Sequence, residues 1–267
     1  MVQATKLSTL LALCVTLLTV AHRPVAAQTP QPSGRTSASP VMMQPIAQSP
    51  GLRSYRTQIV LQMNGKTKGK PANGALNADL TQVLTSRKQS LTLSGTMLAP
   101  LLDGQMPIPV NRLTFYLFDK QTYVLAHTLI PLCASPRAEI GSLAALRKGL
   151  SAEHLLSGLS GDFVVRGTFV REEVVNGIPS RRYRLDVAQI NALAKRRGAN
   201  VQLSGGEVWL AQRGNFVTRL QAELVGNLRS SAGLDFEGTT VLLLNVSDLN
   251  RDADIPLPRA CARPVPL

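Results

Sequence analysis

The alternation of apolar and polar residues between positions 176 and 224 predicts a strand, a helix and a long hairpin. Tyr183 and Leu185 share one face of the strand and Arg184 lies on the other, which is the period of a half-buried strand. Asp186 is placed to cap the N-terminus of the helix. Positive charge at residues 195–197 suits the C-terminal end of a helix dipole, and Gly198 supplies the stop.

The hairpin is predicted at residues 201–210 and 216–224, around a turn that contains Gly214. Val208 and Leu210 lie on the apolar face of its first strand, whereas Trp209 lies on the opposite face. The second strand alternates in the same way, which is typical of an antiparallel strand with one face in solvent.

Similar alternation predicts the other strands, and a 3.6-residue period predicts helices at residues 138–150 and 153–159. The other predicted strands span residues 55–63, 80–85, 89–98, 113–118, 122–126, 162–170 and 234–246. The order of the elements predicts an α+β fold in a single domain. We expect a strongly curved antiparallel β-sheet of about nine or more strands, with two or three helices packed on one of its faces.

Composition divides the chain into four segments. Residues 1–27 have a basic start, an apolar run and a small-residue cleavage pattern, so they are predicted to be a signal peptide; an uncleaved anchor is the alternative. Residues 28–50 are rich in Pro, Ser and Gln and are predicted to be a disordered linker. Residues 51–255 have the length of one domain, and residues 256–267 are predicted to be a Pro-rich extended tail.

The signal peptide predicts a periplasmic or secreted protein, and this compartment changes the interpretation of the cysteines. Cys14 does not fit a lipidation site, because Leu13 precedes it and the apolar run continues beyond it. Cys133 and Cys261 are the two that remain, and an even number outside the cytoplasm predicts a disulfide. Two unrelated thiols are the alternative.

The chain is strongly basic, with a formal net charge of +13, and loses only Lys6 and Arg23 with the signal peptide. Export and the small number of aromatic residues argue against nucleic-acid binding. The predicted partner is therefore an anionic membrane surface or an acidic envelope polymer, and a solvated basic surface is the alternative. The arginines expected to contact it are Arg166, Arg171, Arg182, Arg184 and Arg219.

Catalytic motifs are absent from the sequence, which predicts a protein that is not an enzyme and that needs no cofactor. His127 and His154 have no carboxylates or thiols at the spacing of a metal site, so no metal is expected. Each histidine is expected to have a structural or solvated role. The adjacent acids Glu172 and Glu173 are placed at a strand end rather than as a catalytic pair.

A family resemblance rests on the 176–224 region. The residues that carry it are Asn176, Gly177, Ile178, Pro179, Tyr183, Asp186, Val208, Trp209, Leu210, Arg219 and Leu220. Their order resembles the bacterial lipoprotein-carrier (LolA-like) superfamily, and within it the branch of LppX/LprG-type lipid-binding lipoproteins. The resemblance implies an open half-barrel whose concave side is apolar and covered by helices.

The resemblance also implies a ligand cavity and therefore a non-enzymatic protein that binds or carries lipid, acyl chains or lipoproteins in the cell envelope. A filled core without a cavity is the alternative structure. The alternative functions are a protein-interaction or stress-sensing module on the same fold, and a degenerate cell-wall hydrolase. The residues predicted to line a cavity are Phe169, Tyr183, Leu185, Leu210, Phe216, Leu220, Leu224, Phe236 and Leu242.

Overall fold

A computed structural model of the chain describes residues 38–67, 69–99, 110–118, 121–135, 164–196, 200–229 and 235–266. The predicted signal peptide and the predicted helices at residues 138–150 and 153–159 lie outside these ranges. The strands are β1 Ser39–Met42, β2 Ser54–Thr67, β3 Lys70–Val83, β4 Lys88–Ser94, β5 Arg112–Phe118, β6 Gln121–Ala126, β7 Leu132–Ser135, β8 Val164–Val175, β9 Ile178–Leu185, β10 Val201–Ala211, β11 Val217–Arg229, β12 Asp235–Ser247 and β13 Val265–Pro266. The helix α1 spans Val187–Arg196.

All thirteen strands form one open, half-barrel-like sheet with the order β1-β8-β9-β10-β11-β12-β2-β3-β4-β5-β6-β7-β13. Two runs of consecutive hairpin-like neighbours, β2 to β7 and β8 to β12, are joined where β12 pairs with β2. Neighbouring strands are antiparallel, except that β13 runs parallel to β7. Short antiparallel connections account for most of this topology, as the alternating pattern of the sequence predicts.

The prediction of two or three helices over the concave face is wrong. The described residues instead form thirteen strands and one helix longer than a single turn. This helix, α1, buries Ile190 and Ala194 and contacts β8 and β10. Strands extend into segments whose Gly, Asn and Pro residues predict turns, such as residues 64–67 and 70–76. The fold is therefore richer in strands than the sequence pattern indicates.

Local hydrogen bonds explain where α1 begins and how it docks. The side chain of Asp186 accepts a hydrogen bond from the backbone N–H of Gln189 at 3.1 Å, as the capping pattern predicts. The side chain of Asn191 bonds both backbone groups of Leu203 on β10, at 2.8 and 2.7 Å.

None of the helices in the described ranges is both long enough and apolar enough to span a membrane.

Both terminal segments of the described chain take part in the sheet. β1 belongs to the segment predicted as a disordered linker, and it pairs with residues 164–167 of β8. Val41, Met43 and Ile46 from this segment are buried in the main hydrophobic core. At the other end, Val265 in the predicted extended tail pairs with Ala134. Sparse but well-spaced apolar residues are sufficient to anchor both segments.

Three glycines lie side by side on the central strands β11, β12 and β2. Gly226 on β11 pairs with Gly238 on β12, which pairs with Gly65 on β2. A Cβ atom added to Gly65 would lie 2.1 Å from the carbonyl oxygen of Glu237. Gly226 and Gly238 also have positive φ angles of 140° and 155°. Only glycine fits these positions without displacing a neighbouring backbone, and such positions are where sheets bend.

Candidate functional site

One continuous row of apolar side chains crosses eleven strands on the inner face of the sheet. We call it the inner row, and each member pairs directly with the next. Its members, in strand order, are Phe169, Tyr183, Val208, Leu220, Leu244, Ile59, Ala78, Leu93, Leu113, Ala126 and Leu132. No charged side chain interrupts the row, so it offers an uninterrupted apolar path across the sheet.

The two ends of the inner row differ from its centre. Val208, Leu220 and Leu244 are fully buried. At the β8 end, Phe169 is 53% exposed and meets Tyr183 edge to face, with 5.8 Å between ring centroids. At the β7 end, Leu132 is 47% exposed. The row therefore leads from solvent at one edge of the sheet, through its core, to solvent near the other edge.

The nine residues predicted to line a cavity lie on or next to this core. Leu185, Leu210, Phe216, Leu220, Phe236 and Leu242 are buried members of the main core. Tyr183 and Leu224 pack against it partly buried, and Phe169 lies at its exposed end. Leu244, Ile59 and Leu113 also belong to the inner row but are not among the residues predicted to line a cavity. Their alternation was visible, but only the strand pairing shows that they continue the same row.

The opposite, outer face carries a polar row on the same eleven strands. Its members are Arg171, Arg182, Trp209, Arg219, Asn245, Gln58, Asp79, Thr92, Thr114, Leu125 and Cys133. Arg56 forms an ion pair with Asp79, and the hydroxyls of Thr92 and Thr114 are 3.1 Å apart. The outer row is therefore mainly polar from β8 to β5 and becomes apolar at Leu125 and Cys133 on β6 and β7.

Trp209 lies at the centre of a charged cluster on this outer face. The guanidinium carbons of Arg182 and Arg219 lie 5.2 and 5.6 Å from the centre of its ring, which is cation–π geometry. Its indole N–H donates to the carboxylate of Glu173. We call these four residues, together with Arg171 and Glu207, the Trp209 cluster. Trp209 itself is only 4% exposed, so the cluster covers it.

Three of the five arginines predicted to contact an anionic surface belong to the Trp209 cluster. Arg171 forms an ion pair with Glu173 at 2.7 Å, and Arg182 forms one with Glu207 at 2.5 Å. The Nε of Arg219 donates to Asn245 at 2.8 Å. Arg166 and Arg184 are exposed on neighbouring strands. The structure therefore brings three of the arginines together around a tryptophan and leaves two facing solvent.

The charge on Glu173 supports this cluster at neutral pH. The hydrogen bond from Trp209 and the nearby Arg171 hold the pKa of Glu173 below its ordinary value, although burial acts in the opposite direction. A carboxylate with a depressed pKa contributes stability above its unfolded pKa of about 4.3. That contribution is lost as the pH falls through the lower, folded pKa.

We therefore expect Glu173→Gln to reduce stability at neutral pH and to lose this effect in acid. Glutamine keeps an oxygen that accepts the indole N–H but removes the charge that Arg171 pairs with. Urea unfolding of both proteins between about pH 7 and pH 3 measures the difference, which should shrink below about pH 4.3. A difference that stays constant over this range would show that the charge of Glu173 is not involved.

The predicted disulfide is formed. Cys133 on β7 is bonded to Cys261, and their Cα atoms are 5.1 Å apart across 128 residues of sequence. Both cysteines are buried with Leu125 in a second, smaller hydrophobic cluster at the apolar end of the outer row. Tyr116, Tyr123 and Ala260 pack against this cluster. The disulfide ties the C-terminal segment to the edge of the sheet.

His127 contacts Thr114, whose hydroxyl is 2.9 Å from its Nε2. Burial lowers the pKa of His127, and the charge of Arg112 lowers it further. His154 lies outside the described residues. Within the described ranges, no three His, Cys, Asp or Glu side chains are grouped so that they could hold a metal ion.

Comparison with known proteins adds little to this geometry. No protein-family model and no curated protein matches the chain. A crystal structure of a DUF1329 family protein from Desulfovibrio piger is 10% identical, with a TM-score of 0.24 over 78% of this chain and 89% of that one. A structure of PNGF-II is 12% identical, with a TM-score of 0.22 over 75% of this chain and 28% of that one. Neither similarity is high enough to carry an argument about function.

Proposed function

We propose that this protein is a non-enzymatic protein of the cell envelope that binds the acyl chains of lipids or lipoproteins on the inner face of its sheet. The inner row is the observation that carries the proposal. It is apolar on all eleven strands and is open to solvent at Phe169 and Leu132. A long, uncharged and non-directional surface suits a ligand that has only methylene groups to bury.

Burial of methylene groups is the main source of binding energy that such a surface offers. Each methylene moved from water to an apolar surface contributes about 0.8 kcal/mol. About ten buried methylenes therefore correspond to about 8 kcal/mol before the cost of association, which is large for proteins and their ligands. The centre of the inner row is buried, so an acyl chain can bind there only by displacing the side chains that pack against it. The two exposed ends, at Phe169 and Leu132, are therefore the positions where a chain would enter.

Two features support a location outside the cytoplasm. The basic and apolar pattern of residues 1–27 is that of a signal peptide. The disulfide between Cys133 and Cys261 is of the kind that forms and persists in oxidising compartments. An exported protein of net positive charge meets anionic lipids there, and this supports a lipid as the partner.

Phe169→Glu tests the proposal at the exposed end of the inner row. Phe169 is half exposed, so we expect the variant to fold, but an entering acyl chain would have to desolvate the new carboxylate, which costs free energy. The affinity for a fluorescent fatty acid should fall on the order of tenfold, which corresponds to about 1.4 kcal/mol. Fluorescence titration of the purified protein measures this change.

Val174→Glu is the matched control for this experiment. Val174 is also an exposed apolar residue of β8, but it is not part of the inner row. We expect this variant to bind the fatty acid as the wild type does. Equal loss in both variants, or no loss in either, would contradict binding along the inner row.

A second candidate function is recognition of another protein through the free edge of β8. Within the described residues, β1 covers only residues 164–167 of β8, and no strand pairs with residues 168–175 on that side. Val170 and Val174 are exposed along this edge. An unpaired strand edge with apolar side chains can accept a strand from a partner protein. A wild-type protein that takes up no fatty acid would favour this candidate.

A further inference from the structure

The segment between β6 and β7 exposes several apolar side chains close together in sequence. We call residues 128–132 the apolar loop. Leu129 is fully exposed, Ile130 is 76% exposed, and Leu132 at the start of β7 is about half exposed. Single exposed leucines are common in proteins, but a contiguous apolar tip usually marks a surface that contacts a partner or a membrane.

The apolar loop is held from both sides. On its N-terminal side, the backbone N–H of His127 donates to the carbonyl of Arg112 at 3.0 Å. Within the loop, the hydroxyl of Thr128 donates to the carbonyl of Ile130 at 2.5 Å. On its C-terminal side, Cys133 is joined to Cys261. The leucine and isoleucine side chains are therefore presented from an anchored base.

The charges next to the apolar loop are positive. Arg112 is exposed and hydrogen-bonded to the base of the loop through its carbonyl. Arg263 is exposed two residues before Val265, which pairs with Ala134, and Arg259 is exposed in the short 3-10 helix that holds Cys261. Neither residues 121–135 nor residues 255–267 contain an acidic side chain. An apolar tip with arginines around it complements an anionic bilayer, where apolar groups enter the headgroup boundary and cations meet phosphates.

We propose that the apolar loop docks this protein on anionic lipid bilayers by inserting Leu129 and Ile130 into the headgroup boundary. Arg112, Arg259 and Arg263 contact the lipid phosphates. The proposal deepens the proposed function and rests on it for its purpose, because a protein that exchanges acyl chains has to reach a membrane. Leu132 belongs both to the apolar loop and to the inner row. An acyl chain that leaves the bilayer at this loop therefore meets the Leu132 end of the inner row directly.

This assignment differs from the one that the sequence alone predicts. The arginines expected to contact anions lie on β8, β9 and β11, and three of them are held in the Trp209 cluster. Their guanidinium groups face tryptophan, carboxylates and an amide of the protein itself. The arginines near the apolar loop are instead combined with exposed apolar side chains, which is the combination that membrane docking needs.

Vesicle co-sedimentation tests the proposal with protein purified from cells that express the full chain. The wild type should bind vesicles of phosphatidylglycerol and phosphatidylcholine more tightly than vesicles of phosphatidylcholine alone. The double variant Leu129→Glu, Ile130→Glu should lose at least about tenfold in affinity for the mixed vesicles, because carboxylates replace the inserting groups. Met42→Glu, at another exposed apolar residue, on β1 and outside the apolar loop, should bind as the wild type does.

Two further measurements separate the docking surface from the acyl-chain site. The double variant should still bind a fluorescent fatty acid in the absence of vesicles, and its loss there would overturn a role confined to docking. Leu129→Trp should show a blue shift of its emission when the mixed vesicles are added, because the new indole enters the headgroup boundary. Equal vesicle binding by the wild type and the double variant, or no blue shift, would overturn the proposal even if fatty-acid binding is confirmed.

Discussion

Replacing Trp209 with alanine should lower the free energy of unfolding by about 3–5 kcal/mol, as truncation of buried aromatic residues does. Trp209 is almost completely buried although it lies on the outer face of the sheet. Its ring lies between the guanidinium groups of Arg182 and Arg219, and its N–H satisfies Glu173. Removing it leaves two cations without their aromatic partner and the Glu173 carboxylate without one of its two donors, since Arg171 remains. Chemical unfolding monitored by circular dichroism measures the loss.

Trp209→Phe separates the ring from the hydrogen bond. Phenylalanine retains most of the apolar area and a ring face for the arginines but has no N–H for Glu173. The expected loss is about 1.5–3 kcal/mol, the usual contribution of one hydrogen bond to a charged group. If Trp209→Ala costs no more than Trp209→Phe, the stacking of the two arginines contributes nothing and this description of the cluster is wrong.

Replacing both Cys133 and Cys261 with alanine should cost about 2–5 kcal/mol of stability, because the unfolded chain regains the freedom that the disulfide removes. The disulfide closes a loop of 128 residues, which places the effect toward the upper part of that range in the chain-entropy model. The buried cysteines pack with Leu125, so alanine also leaves a small space in that cluster. Thermal unfolding of the variant and of the wild type measures the difference.

Reduction of the wild type provides the control for the alanine pair. A reducing agent breaks the same bond without changing the packing, so the reduced wild type should lose nearly as much stability as the variant. The same reagent should leave the melting temperature of the variant unchanged. A wild type whose melting temperature is insensitive to reduction would show that the C-terminal segment is held by packing alone.

The strands that carry the inner row were largely predictable. Alternation placed Tyr183, Leu220 and Ile59 on apolar faces, because a sheet with one buried face imposes a two-residue period on each strand. The capping of α1 by Asp186 was predictable for a similar local reason. The pairing order was not, since the contact of β12 with β2 joins residues almost two hundred positions apart. The inner row as a whole therefore emerges only from the structure.

Some segments that the sequence pattern does not predict as strands contain residues that are unfavourable in strands. The first half of β3 contains Pro71, Asn73 and Gly74, which favour turns in isolation. Pro71 is tolerated because this half of β3 pairs only with β2. β4 does not pair with β3 at Pro71, so no hydrogen bond to β4 is lost through the absent N–H. Pairing across the sheet also imposes the close approach at Gly65, so the two long strands β2 and β3 are stabilised by neighbours distant in sequence.

The Trp209 cluster shows that a positive charge on the outer face does not by itself identify a binding site for an anion. The sequence indicates that Arg182 and Arg219 lie on the outer face, and the structure agrees. Their partners, Glu207 and Trp209, lie on the intervening strand and become neighbours only through its register. An arginine on an outer face is therefore not by itself a contact for an anion.

Native mass spectrometry of the protein, purified from a bacterial host that expresses the full chain, tests the central claim most directly. If the inner row binds acyl chains, the spectrum should contain species heavier than the polypeptide by the mass of a lipid or fatty acid. These adducts should exchange when another lipid is added, and Phe169→Glu should weaken them while Val174→Glu does not. Only the bare polypeptide mass, with no uptake of added lipid, would contradict the account and favour the free edge of β8 as the functional surface.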